Sequence, residues 1–469
     1  MAERRTAGLD RWRLEAPLLA VALAVRVAFI LAYPAVYGGD ATARMARADE
    51  LLLGYQLPLP QALVFLTRHA APAPLATRLL FALIGALVPL ALLAALRPIA
   101  GARAAWIAGA LAALHPALVY YSIVPYQESL TIGLLLFGAA ALQARRDGIA
   151  GLLFSLACLC RYEAWIAVPF AVAPRLRARP LRTLALFATV PLVWLLLWRG
   201  TSPAGTYVLD LDPFAPRLPR VFFLFSKLRE YSGAVVLVLA TVGAILAARA
   251  RLARLGWALA VLAAIGITVI AAGHEFPPGS GQMSERLIHF PAVAACALAG
   301  IALAALWETP RLGSFGRLAA GLLLTWQAQA WVRQSDLLVR EANRDPSLRI
   351  AFQVAEWADR ELAPGERLTV VAPPVPQAAI DDYVRKVGLA GGDEARAREI
   401  AAGLAGHSPD ADRVAANLAR RPGTVSEEID APGLLVVFDD RSVGRVLGTP
   451  VATWVAGPRS AKAYRRPAS

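Results

Sequence analysis

The stretch GLLFSLACLCRYEAWIAVPFAVAP, residues 151–174, sets Arg161, Tyr162 and Glu163 in the middle of an apolar run. A guanidinium fork can grip a carboxylate or a phosphate with two parallel hydrogen bonds, and a glutamate two residues away can hold it poised. Charged groups deep in hydrocarbon persist only beside protein or in a water-filled cavity, so the trio marks either a site or a structural clamp. Three other groups of polar residues carry chemical potential. Asp40 follows Gly38 and Gly39, which let the backbone turn sharply; Glu128 stands in HPALVYYSIVPYQESL; and GHEFPPGSGQMSERLIHFPAV delivers His274, Glu275, Glu285, Arg286 and His289. Each has a plainer reading. Asp40 can cap the helix that follows it, Glu128 can cap or complement a helix dipole, and the last segment can be a solvated loop.

The elements that must position these residues are membrane helices. The chain has 469 residues, is 57% hydrophobic, and contains many runs that approach the ~20 apolar residues needed to cross a bilayer. Its net charge of +14 is nearly all arginine, with only Lys227, Lys386 and Lys462 as lysines. The basic residues lie between apolar runs and form no stripe on a soluble unit, which points to the membrane surface and away from nucleic acid. Cys158, Cys160 and Cys296 all lie in apolar runs without zinc or redox spacing, and read as small core residues. The basic head Arg4, Arg5, Arg11 and Arg13 precedes an apolar body too long for a signal peptide, so the first segment is expected to be a retained span with its N-terminus in the cytoplasm.

Placing basic loops inside gives a consistent zigzag. Spans are expected at about 15–34, 75–96, 104–122 and 125–142, with a long outer loop at 35–74. Within that loop ATARMARADELLL reads as an interfacial helix, with Met45, Ala48 and Leu52 on one face and Arg44, Arg47 and Glu50 elsewhere. The segment 151–174 is flanked on both sides by arginines, which one crossing cannot reconcile. A helical hairpin over about 149–160 and 164–173 keeps both flanks inside and puts Arg161, Tyr162 and Glu163 at its tip. Limbs of about 12 residues span only ~18 Å, so the tip stops below the outer surface. Further spans are expected at about 183–198, 233–249, 256–272, 291–306 and 318–333, giving a polytopic α-helical protein of about 11 membrane segments. Residues 1–335 form this membrane part. Residues 336–469, with helical text in LRIAFQVAEWADREL and strand-like RLTVVAP and GLLVVFDD, read as a small extracytoplasmic α/β domain.

Taken together, an acidic residue just after the first span, a loop helix ending at Gly54 before LPLPQAL, HPALVYYSIVPYQESL at the third-to-fourth turn, CLCRYEAW and ERLIHFP resemble the GT-C superfamily of membrane glycosyltransferases. The likeness runs to the bacterial relatives of protein mannosyltransferases and of the aminoarabinose transferase that modifies lipid A, and covers residues 1–333. The resemblance implies transfer of a sugar from a polyprenyl-phosphate-linked donor to a lipid, glycan or protein acceptor, with inversion, at the outer face of the bacterial cytoplasmic membrane. Asp40 matches the carboxylate that takes the acceptor proton, and Arg161 and Arg286 suit the cations over the leaving phosphate. Glu128, Tyr162, Glu163 and His289 are the supporting residues. No His-rich ligand set is present, so no metal and no cofactor are expected, although metal use differs within the superfamily and a divalent ion stays open. The chain departs from the pattern at Ala41, where relatives often carry a second acidic residue, and at His289, where an aromatic is common. A transporter or lipid flippase, a non-catalytic assembly factor and a GT-C-like chain that no longer transfers sugar are the competing readings. The absence of an inverted repeat and the one-sided placement of charge weigh against a transporter.

Overall fold

The computed structural model describes residues 2–51, 57–70, 72–161, 163–176, 217–249, 288–363, 366–371, 381, 384–385, 409–419, 425–426, 433–439 and 449–466. The membrane part contains α1 (Ala2–Ala32), α2 (Gly39–Ala46), α3 (Pro58–Thr67), α4 (Ala73–Ala100), α5 (Ala102–Leu114), α6 (Pro116–Tyr120), α7 (Glu128–Gln143), α8 (Asp147–Cys158) and α9 (Glu163–Leu176). It continues with α10 (Arg217–Ser232), α11 (Ala234–Arg249), α12 (His289–Glu308) and α13 (Gly313–Ala342). Among the described residues, Glu15–Ala32 of α1, α4 and α12 are each long and apolar enough to cross a bilayer. Phe225–Ser232 and α11 form a pair that passes the same test together but bends by 106° at Gly233, whose φ is +81°. The segments expected at 183–198 and 256–272 lie outside the described residues.

One expected span is broken. The segment expected as a single helix over 104–122 is split into α5 and α6 at His115, which is extended at φ −61°, ψ 125°. Pro116 is the cause, because its ring disfavours helical geometry in the residue before it. The break falls inside the bundle and frees carbonyls there. Arg26, fully buried on α1, spans the break: Nη1 donates to Ala113 O at 3.0 Å and to Ala22 O of its own helix at 2.8 Å, Nη2 donates to Leu118 O, which Ser122 Oγ also bonds, at 3.1 Å, and Nε donates to Ser122 Oγ at 2.7 Å. Arg78 on α4 does the same beyond the end of α1 and in the turn after α6. Its Nη1 takes Tyr33 O at 2.8 Å and Pro34 O at 2.6 Å, while Nε takes Ile123 O at 2.8 Å.

The main core joins α1, α4, α5, α11 and α12 through Leu18, Ala86, Leu92, Ala108, Leu111, Val236 and Cys296. Small residues set the helix separations, as in many membrane bundles. At Gly243 of α11, an added Cβ would lie 1.9 Å from Leu298 O of α12. Cys158, Cys160 and Cys296 are buried free thiols, in keeping with their reading as core residues.

Helix α13 continues through residue 335, where the membrane part is expected to end, to Ala342. Beyond it lie α14 (Pro346–Glu361), β1 (Arg367–Val371), α15 (Pro409–Asn417), β2 (Val425–Ser426), β3 (Gly433–Phe438), β4 (Ala452–Ala456) and β5 (Arg459–Arg466). Asp345 caps α14 by accepting from Ser347 N at 3.0 Å. The strands form one sheet in the order β2-β1-β3-β5-β4, with β1 parallel to β2 and β3, and β5 antiparallel to β3 and β4. The runs RLTVVAP and GLLVVFDD thus supply two adjacent parallel strands. Ile350, Val354 and Ala358 of α14 and Val414 of α15 pack on Leu368, Val370, Leu434 and Val436.

This sheet-bearing part is tied to the segment between α1 and α4. Val36 N donates to Asn417 Oδ1 at 2.8 Å, Ala73 N to Ala419 O at 3.3 Å, and Met45 shares a buried cluster with Ala416. The expectation for the loop helix is corrected here. Helix α2 is covered by α15, and Arg44, assigned to the outward polar face, is 1% exposed. The apolar face that pointed to a membrane interface is buried against protein instead, and side-chain periodicity cannot separate the two outcomes.

Candidate active site

The break between α8 and α9 falls where the hairpin tip is expected, and its backbone is well satisfied. Cys160 N and Arg161 N donate to Ala157 O at 3.0 and 3.3 Å, the Trp165 indole donates to Cys158 O at 2.7 Å, and Leu59 N at the start of α3 donates to Leu159 O at 3.0 Å. The last bond joins the segment between α1 and α4 to the break. Arg161 sits at the break, where its guanidinium grips Glu163 with two donors: Nε meets Oε2 at 3.0 Å and Nη2 meets Oε1. Arg161 Nη1 also donates to Glu128 Oε1, from the first turn of α7. Two carboxylates and one guanidinium therefore share a pocket in which Glu128 is 2% exposed and Arg161 12%. Such a group is stable only while intact, because removing one member strands the others in low dielectric.

Glu128 starts α7 as expected. Its side chain does not cap that helix; it turns to Arg161. Its second oxygen, Oε2, is buried without a hydrogen-bond donor among the described residues, and the neighbouring Ser129 Oγ is likewise unpartnered there. Unused acceptor capacity beside a charged group is what a hydroxyl-bearing ligand would satisfy.

Asp40 lies half-buried in the first turn of α2, after Gly38 as N-cap. It is therefore not the cap. Gly38 has φ +85°, and an added Cβ there would lie 2.1 Å from Tyr126 Oη, so both conformation and space require glycine at the turn that aims Asp40. One helical turn on, Arg44 Nη1 donates to Pro125 O at 3.1 Å, three residues before Glu128. Arg44 is thus a buried cation held to the turn that leads into Glu128, on the helix whose polar face was expected to point outward. Its signal was the four-residue spacing from Asp40, which puts both on one helix face.

His289 begins α12, fully buried, with its ring 4.6 Å edge-on to Tyr121. Tyr121 meets Tyr126 at 5.3 Å and Tyr120 at 4.8 Å, and Tyr120 meets Tyr37 at 5.1 Å. A chain of rings therefore links the start of α12 to the turn that carries Asp40. Tyr37 donates its hydroxyl to Tyr120 O at 3.1 Å, and burial pushes that phenol well above its ordinary value, so it remains a neutral donor. The structure thus brings Arg161, Glu163 and Glu128 into direct contact and sets Asp40 and His289 on elements joined to them. Tyr162 and Arg286, with His274, Glu275 and Glu285, lie outside the described residues. Among the described residues no group of three or more His, Cys, Asp or Glu side chains comes together as a metal site.

A break-tip cation clamped by carboxylates, and a carboxylate on a short helix after α1, sit in a bundle whose fold is similar to that of solved ArnT structures. ArnT from Cupriavidus metallidurans, solved bound to undecaprenyl phosphate, superposes with a TM-score of 0.52 at 17% identity, over 96% of this chain and 97% of that one. The same transferase in its apo state gives 0.51 at 16% identity, over 97% and 98%. An Archaeoglobus fulgidus oligosaccharyltransferase in the apo form aligns at 12% identity over 76% of this chain with a TM-score of 0.47, and this chain spans 62% of its length. No protein-family model matches the sequence, and no curated protein does.

Proposed function

We propose that this chain transfers a sugar from a polyprenyl-phosphate-linked donor to a lipid, glycan or protein acceptor at the outer face of the bacterial cytoplasmic membrane. The observation that carries the reading is the convergence of three separate elements. Arg161 and Glu163 at the α8–α9 break meet Glu128 of α7, and α2, the helix that carries Asp40, reaches the turn before α7 through the bond from Arg44 to Pro125 O. The shared fold with an aminoarabinose transferase that was solved with undecaprenyl phosphate supports the donor class. In this reading the N-terminus is cytoplasmic, about 11 segments cross or enter the membrane, and residues 336–469 form an extracytoplasmic α/β domain.

The acceptor hydroxyl attacks the anomeric carbon from the side opposite the phosphate. The new C–O bond forms as the bond to the phosphate oxygen breaks, and that electron pair leaves with the phosphate. Asp40 takes the hydroxyl proton, and a single displacement of this kind inverts the anomeric centre. Arg161 and Arg286 stabilise charge growing on the phosphate. Because Glu128 and Glu163 leave the Arg161 cluster with one net negative charge, Arg44 and Arg286 are needed to make the region attractive to an anion. Glu163 orients Arg161, the second oxygen of Glu128 receives a sugar hydroxyl, and Tyr162 and His289 shape the walls. No metal or cofactor enters this scheme.

Asp40→Asn tests it. The variant is expected to insert and fold as the parent while transfer falls by roughly 10² to 10⁴, the usual contribution of a general base. Full transfer of sugar from an isoprenoid-phosphate donor by this variant would overturn the assignment.

A further inference from the structure

A second feature lies away from the Arg161 cluster. Where α1 ends, a cavity of about 170 Å³ opens between Tyr33, Pro34 and Ala35 on one side and Arg349, Phe352 and Gln353 of α14 on the other. It opens where the apolar span Glu15–Ala32 ends, one residue before Tyr33. Leu31, beside it, is 67% exposed, as a lipid-facing side chain would be. The far wall is polar. Among the described residues, Arg349 is the one charged side chain lining the cavity; its guanidinium and the Gln353 amide are exposed and make no hydrogen bond or ion pair with those residues. The Tyr33 hydroxyl is already committed, donating to Asp336 Oδ1 at 2.6 Å, and Arg340 pairs with the other oxygen of Asp336 at 2.5 Å. That latch fixes the end of α1 against α13 and leaves Arg349 as the available cation.

We propose that this cavity binds the phosphate-bearing headgroup of an anionic membrane phospholipid, with Arg349 on the phosphate, Gln353 on the headgroup oxygens and the acyl chains along the exposed end of α1. Depth selects this occupant: a phospholipid has its phosphate at the level where an apolar span ends and its chains directly below. Charge agrees with depth, since a guanidinium fork matches phosphate oxygens. Phe352, Pro34 and Ala35 supply apolar contact at the level of the glycerol backbone. Seated there, the lipid touches α1 and α14 at once and fixes the sheet-bearing part to the membrane surface. The site is independent of the sugar-transfer reading and shares no residue with it.

The test is lipid retention by the full-length protein. Purified protein in neutral detergent is titrated with phosphatidylglycerol or phosphatidylcholine, and bound lipid is counted by native mass spectrometry. Phosphatidylglycerol is expected to bind preferentially. Arg349→Gln is expected to weaken that binding about tenfold, the loss of one charge-assisted hydrogen-bonded contact, while Arg344→Gln, at an exposed arginine that does not line the cavity, leaves it unchanged. Glycerol phosphate and inorganic phosphate at equal concentration are expected not to displace the lipid. Unchanged binding in Arg349→Gln, equal loss in Arg344→Gln, or displacement by either soluble phosphate would overturn the proposal.

Discussion

Arg26 and Arg161 are both arginines inside apolar text, and they differ in what holds them. Arg26 meets the Ala22, Ala113 and Leu118 carbonyls and the Ser122 hydroxyl, and it closes the gap left by Pro116 between α5 and α6. Arg161 is clamped by Glu128 and Glu163 at the break between α8 and α9, with some access to solvent. The partners separate the roles. Carbonyls at a helix break ask only for donors, so a cation there completes backbone hydrogen bonding. Paired carboxylates around one cation make a charged cluster whose worth lies in where it puts charge, because an apolar replacement of the whole group would often be at least as stable. A buried arginine among carbonyls therefore marks architecture, while one between carboxylates marks a candidate site.

The largest expected effect breaks the comparison at Arg161. Arg161→Met should cost roughly 3–5 kcal/mol in unfolding measured in detergent, since it strands two buried carboxylates. Adding Glu128→Gln and Glu163→Gln to that variant should restore most of the loss without restoring activity. If the triple variant is no more stable than Arg161→Met, the group is not held as a charged cluster. Arg26→Met comes next, at roughly 2–4 kcal/mol, because Ala113 O loses its side-chain donor inside the bundle and Leu118 O is left with Ser122 Oγ alone of its two side-chain donors. No carboxylate is involved, so no acidic substitution should rescue it; a rescue would erase the distinction drawn above. The smallest effect sharpens it from outside the bundle. Arg103 and Glu308 pair at 2.6 Å with about half of each side chain exposed, and Arg103→Ala should shift stability by less than about 0.5 kcal/mol, within the scatter of a thermal melt.

Much of this contrast is legible in the sequence and part is not. The α8–α9 break is visible because basic residues flank both ends of 151–174, and Glu128 is visible because a carboxylate opens an apolar run. The pairing of Glu128 with Arg161 joins residues 33 apart and has no local signature. Arg44 was misplaced outward because an amphipathic helix buries one face equally well in a membrane or against α15. Pro116 announces a break, but nothing near it in sequence says that Arg26, about 90 residues earlier, will satisfy the carbonyls it frees. The chain of rings through Tyr37, Tyr120, Tyr121 and His289 is invisible for the same reason, since ring contacts leave no periodic trace.

By itself the sequence determined the solvent this chain lives in, the approximate limits of its apolar helices, the helix break at Arg161 and the strands at 367–371 and 433–438. These follow from local length, hydropathy and charge, which act over a few turns of chain. Only the tertiary structure decided which buried cations meet carboxylates, that α2 lies under α15, and that α14 stands over the end of α1 with Arg349 exposed beside it. Those outcomes depend on side chains far apart in sequence competing for a small number of buried donors and acceptors, a competition settled only once the helices have packed.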